Sequence, residues 1–194
     1  MFENDDPSVA SSARAGAGHE LLELQRLADQ GDVRAVASRA RMEEGRWSEV
    51  LRLRAVQLLG ELPGAASTEA LCSILREDAS ALIRACAVDA LAKIGGSNVA
   101  SQLRGALEDP PVVVRRAAAL QLGRAQDGET KAKLGEWLRS GDVNERRAAY
   151  TALAYYGERQ VQLQIEGFLS REPWWRRMLI WRDLRALRDN RTEN

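Results

Sequence analysis

The chain has 194 residues, 45% of them hydrophobic and 29% charged, with a formal net charge of zero. That size allows one sizeable core or a short stack of repeating units. Zero net charge gives no general attraction for nucleic acid, and no apolar run approaches the roughly 20 residues that span a bilayer.

The first segment, MFENDDPSVASSARAGAGH, is acidic where a secretory signal would be basic, and it has no apolar centre. Residues 1–18 therefore read as a disordered leader, followed by one folded domain over 19–190 and a tail over 191–194, in a cytoplasmic protein. Residues 20–30, ELLELQRLADQ, and 32–44, DVRAVASRARMEE, both have helical spacing. Leu21, Leu24 and Ala28 fall on a displaced copy of the register described next, as expected of a degenerate N-terminal capping pair.

From Arg52 onward the chain repeats itself. Arg52 and Leu59, seven residues apart, recur as Arg84 and Leu91, Arg115 and Leu122, and Arg146 and Leu153, in steps of 32, 31 and 31 residues. Three residues after each arginine stands Ala55, Ala87, Ala118 or Ala149. Later in each period comes an aliphatic pair: Leu71 and Leu75, Leu103 and Leu107, Leu134 and Leu138, Ile165 and Leu169. Separations of four and seven return to one face of a helix, so each period predicts two amphipathic helices.

The punctuation agrees. Ser48, Ser80, Pro111 and Asp142, each four residues before a repeat arginine, suit a helix start, and Asp142 with Glu145 has capping-box spacing. LPGAAST, IGGSN, AQDGET and YGERQ each supply a glycine for a left-handed helix end, and the glycines as a set read as turn punctuation or small surface residues. No sustained two-residue alternation marks a strand. The fold class is all-α: an α-α superhelix of about four full helix pairs, an N-terminal degenerate pair and a C-terminal capping helix.

The phrases LRLRAVQLLGEL, LIRACAVDALAKIG, VVRRAAALQLGRA and ERRAAYTALAYYG resemble the short HEAT-like repeat of phycobilin lyase subunits, over about residues 46–187. The resemblance implies an armadillo-like α-solenoid. For function it implies a spread of roles: scaffolds, chromophore lyases, a metal-dependent hydroxylase and helical DNA-repair enzymes.

The last predicted element is PWWRRMLIWRDLRALRDN, Pro173 to Asn190. Adding 31 to Arg146 and Leu153 gives Arg177 and Leu184, so this segment is the first helix of a fifth repeat, with Ile180 at the alanine position. Residues 171–194 carry seven arginines against four acids, while residues 1–30 carry six acids against two bases.

Chemistry is sparse. The one histidine, His19, stands at the edge of the leader, and its single His-Glu dipeptide falls short of the paired motifs of the iron hydroxylases. Phosphate loops, nucleophile elbows and zinc spacings are missing from the sequence. Cys72 and Cys86 read as small buried hydrophobes. The expectation is no catalytic residue, no metal and no cofactor. The repeat arginines Arg52, Arg84, Arg115, Arg146 and Arg177 read as structural, binding the preceding turn's carboxylate or carbonyls.

The leading functional expectation is a non-enzymatic scaffold that binds another protein. Its contact residues would be Arg76, Gln102, Arg104, Lys133, Glu136 and Arg139 on the concave second helices, with Trp174, Trp175, Met178 and Trp181 on the terminal helix. The alternatives are nucleic-acid binding through Arg116, Arg124, Arg147, Arg182 and Arg185, which is not favoured, and a bilin lyase or isomerase. No membrane insertion is expected, and an oligomer through the unpaired last helix is left open.

Overall fold

The computed structural model describes residues 7–42, 48–62, 64–157 and 159–189, and every regular element among them is helical. They form α1 (Pro7–Asp29), α2 (Val33–Ala40), α3 (Ser48–Leu59), α4 (Ala65–Glu77), α5 (Ala81–Ile94), α6 (Ser97–Gly105) with a short 3-10 turn Ala106–Glu108, α7 (Val112–Arg124), α8 (Gly128–Trp137), α9 (Val143–Ala154), α10 (Arg159–Leu169) and α11 (Trp174–Asp189). α1 opens at Pro7, within the segment read as a leader. The helices fall into two compact halves, Met1–Gly95 and Gly96–Asn194.

The predicted register is the core. In the N-terminal half, Ala55, Leu59, Leu71, Leu75, Ala87 and Leu91 are buried; in the C-terminal half, Leu103, Leu107, Ala118, Leu122, Leu134, Leu138, Ala149, Leu153, Ile165 and Leu169 are buried. Within each half, the first helix of one repeat packs on the first helix of the next: α3 on α5, α7 on α9, and α9 on α11.

Two glycines explain how closely those helices meet, and they correct the reading of glycine as punctuation. A Cβ on Gly123 would stand 2.5 Å from the Ala152 carbonyl oxygen and 2.8 Å from its Cα. One on Gly60 would stand 2.8 Å from the Ala90 Cβ and 2.9 Å from its Cα. Each glycine lies eight residues after a repeat arginine, where Ala92 and Ala154 occupy the other two repeats. At Gly60 and Gly123 the next first helix of the same half comes this close.

The repeat arginines bind backbone as expected. Arg84, Arg115 and Arg146 each donate through Nη1 to the carbonyl six residues earlier, that of Asp78, Asp109 and Ser140, at 2.7, 2.9 and 2.6 Å. The carboxylate partners of Arg52, Arg115 and Arg146, however, come from the following turn. Arg52 pairs with Asp78, Arg115 with Glu145 at 2.9 Å, and Arg146 with Glu172 at 2.6 Å. One planar fork thus ties a turn behind it to a turn ahead.

Two local expectations change for the same reason: the side chains have stronger partners elsewhere. Asp142 does cap α9, accepting from the Asn144 amide at 2.7 Å, but Glu145 turns to Arg115 and the Ser140 hydroxyl and leaves the capping box unformed. In AQDGET the left-handed residue is Gln126, φ 54°, whose side-chain amide donates to the Tyr155 carbonyl at 2.9 Å. Gly128 is instead the first residue of α8, capped by Asp127.

Candidate protein-interaction face

The exposed face of α11 is set up by how its buried face is held. Pro173 precedes the helix, and its carbonyl accepts from the amides of Arg176 and Arg177 at 3.0 and 3.1 Å. Ile180 is buried, filling the alanine position with a larger side chain. Just ahead of the helix, Glu172 accepts from Arg146 Nε and from Arg176 Nη1 at 2.6 and 3.3 Å. Burial alone would push the Glu172 carboxyl up; the two arginines outweigh it and hold the group below the usual carboxylate range. Tyr150 of α9 lies near this clamp, its phenol pushed up by burial and by the Glu172 charge, with Arg146 opposing.

Held this way, α11 turns outward Trp174, Met178 and Trp181, which are 72%, 65% and 51% exposed. Their separations of four and three residues put them on one stripe, which Arg185 continues four residues on. Arg177 and Arg182 border the stripe on either side, and all six side chains line one open concavity of the helix surface. Trp175 and Leu179 are exposed too, away from the stripe, with the Arg176 guanidinium 4.9 Å from the Trp175 ring centre.

The exposure of Trp181 departs from the pattern of the repeats. It stands four residues after its repeat arginine, the position of Val56, Val88, Ala119 and Tyr150, all at most 1% exposed. Arg177 departs as well: its guanidinium has no carboxylate partner among the described residues, unlike those of Arg52, Arg115 and Arg146.

The other candidate contact residues are placed differently. Arg104 is half-buried and bound to Asp127 at 2.7 Å, the same carboxylate that caps α8, with Glu129 at 3.4 Å. Lys133 pairs with Glu108 at 2.9 Å, and that hydrogen bond pushes its ammonium up. Arg139 stacks over Phe168, 5.8 Å from the ring centre, with Arg171 at 5.3 Å from the same ring. Glu136 is exposed, and Gln102 is half-buried. Arg76 is exposed in the N-terminal half. Structure therefore brings Trp174, Met178 and Trp181 together, while Arg104 and Lys133 already hold carboxylates of their own half.

Cys72 is buried, and Cys86 is half-buried with its thiol 3.9 Å from the Leu53 carbonyl oxygen. Burial and the Asp89 charge push the Cys86 thiol up to about 11, and burial also raises Cys72. Among the described residues, no three His, Cys, Asp or Glu side chains converge as a metal site, and no helix is long and apolar enough to cross a membrane.

No curated protein matches the chain. A family profile for HEAT repeats matches residues 40–123 and 103–182. These matched segments cover most of the repeats whose register, sequential packing and arginine clamps are described above, and the chain belongs to the HEAT-repeat family.

Proposed function

We propose that the protein is a non-enzymatic interaction module that binds another protein through the outer face of α11. HEAT repeats characteristically serve as protein-interaction scaffolds, and the observation that carries the reading is the stripe of Trp174, Met178 and Trp181, exposed on a helix whose opposite face is packed. Large aromatic side chains beside arginines are the residue types that dominate binding energy at protein interfaces, because they combine apolar area with directional donors. The stripe runs about 17 Å along an open helix surface, which suits a macromolecular partner better than an enclosed small molecule.

The second helices contribute less. Arg104 and Lys133 would each have to give up a carboxylate partner before meeting another protein.

Site-specific photo-crosslinking tests the reading. A photoreactive residue replacing Met178 should yield a discrete protein adduct in cells, whereas one replacing exposed Arg116 should not. Equal labelling from both sites, or none from Met178, would refute the reading.

A further inference from the structure

We infer that the occupant of the α11 face is an amphipathic helix of another protein with acidic residues along both borders of its apolar stripe. This rests on the interaction reading above and names the chemistry of the partner.

The spacing supplies the first support. Trp174, Met178, Trp181 and Arg185, at intervals of four, three and four residues, occupy successive seam positions of a heptad pattern. Arg177 and Arg182 then stand at the two flanking positions, where helix pairs choose partners by charge. A helix laid on this seam meets apolar anchors along the middle and a positive charge on each edge.

The repeats supply the second. Cys86 of α5 meets the Leu53 carbonyl of α3, and the close approaches at Gly60 and Gly123 are made by Ala90 of α5 and Ala152 of α9. The side of a first helix one and eight residues after its repeat arginine therefore receives the next first helix, and the residue four after the arginine, which falls between them on the helix, is buried in all four earlier repeats. On α11 those positions are Met178, Trp181 and Arg185. The uncovered face is one that helices of this protein ordinarily cover with another helix.

Charge and size decide which helix fits. Another repeat of the same kind cannot stack there, because Arg185 fills the close-approach position that holds only glycine or alanine in the four earlier repeats. A second copy of α11 is disfavoured in both orientations. A parallel pair sets Arg177 against the partner's Arg182, and an antiparallel pair sets each arginine against its own counterpart. A helix carrying glutamate or aspartate at its flanking positions gives Arg177 and Arg185 a carboxylate. It supplies Arg177 with what the following turn supplies to Arg52, Arg115 and Arg146.

The probes are two synthetic three-heptad peptides with leucine at the seam positions, one with glutamate and one with glutamine at every flanking position. Repulsion between glutamates keeps the first from pairing with itself. Binding to the full chain is followed by tryptophan emission and by calorimetry, with far-UV circular dichroism confirming that each variant is folded.

The glutamate peptide should bind at least about tenfold more tightly than its glutamine twin, and the advantage should shrink with added salt. It should also vanish in the double variant Arg177→Gln, Arg185→Gln but persist in Arg116→Gln. Charge reversal, Arg177→Glu with Arg185→Glu, should transfer the preference to a lysine-flanked peptide. Equal binding of the glutamate and glutamine peptides overturns the inference, as does stronger binding to phosphatidylserine vesicles than to the glutamate peptide, or self-association through α11 in sedimentation. Those results combined with a discrete adduct at position 178 leave the interaction reading standing and remove the acidic helix alone; no adduct at 178 removes both.

Discussion

Replacing Gly123 by alanine probes the close packing of the repeats, because two opposing effects can be compared. Alanine favours the helix by about 0.5–1 kcal/mol over glycine, since it loses less backbone entropy on folding. At Gly123 the new Cβ would meet backbone: the Ala152 carbonyl oxygen at 2.5 Å, its Cα at 2.8 Å and its carbonyl carbon at 3.0 Å. No flexible side-chain end is available to move aside, so α7 and α9 must separate, and overpacking of this kind costs about 1–3 kcal/mol. The steric term wins, and Gly123→Ala should destabilise by about 1–2 kcal/mol. Gly135, in α8, is the internal control, for a Cβ there meets nothing within 4 Å. Gly135→Ala should therefore stabilise by about 0.5–1 kcal/mol. Urea denaturation followed by far-UV circular dichroism reads both. If the two variants shift stability in the same favourable direction, the account of the close approach is wrong.

The Tyr150 hydroxyl is buried without a hydrogen-bond partner among the described residues, so Tyr150→Phe should raise stability by about 1 kcal/mol, and a loss would mean that the hydroxyl is satisfied. Glu172→Gln removes the carboxylate charge held between Arg146 and Arg176 and turns one of its two acceptor oxygens into a donor, and should cost about 2–3 kcal/mol, read as loss of α11 protection in hydrogen exchange. The Glu172 carboxyl is lowered in the folded state, so its contribution is fully present above the ordinary carboxylate range and is lost as pH falls through the folded value. Protection of α11 should weaken on acidification in wild type and much less in Glu172→Gln. With its thiol raised to about 11, Cys86 should react slowly with a thiol reagent at pH 8 and rapidly in urea; fast labelling of the native protein would contradict its burial.

The fold was legible because its cause is periodic. A seven-residue return between arginine and leucine, repeated every 31 or 32 residues, marks the buried side of each first helix, and Ala55, Ala87, Ala118 and Ala149 are all buried there. The close-approach glycines were harder to recognise, since a glycine near a helix end has two explanations. The signal that separates them is that Gly60, Ala92, Gly123 and Ala154 share one register position. The arginine partners were half legible: the carbonyl six residues back is local, whereas Asp78, Glu145 and Glu172 reach the arginines only through helix packing. Glu145 illustrates the limit, since its local spacing suggests a cap and tertiary packing gives it to Arg115.

On α11, sequence showed the register of Arg177 and Ile180, and structure added which side is open. Trp181 could have sealed the last repeat as Tyr150 does in the one before, and its exposure depends on what lies above it. The side chain of Leu184, expected to face inward, lies outside the described residues.

Quantitative capture tests the central claim most directly: proteins retained from cell extract by the wild-type chain are compared with those retained by a folded variant carrying Trp174→Ala, Met178→Ala and Trp181→Ala. The account predicts that any partner crosslinked at position 178 disappears from the variant, since losing three anchors at about 1–2 kcal/mol each weakens binding by more than a hundredfold. Undiminished retention of that partner by the variant would contradict it.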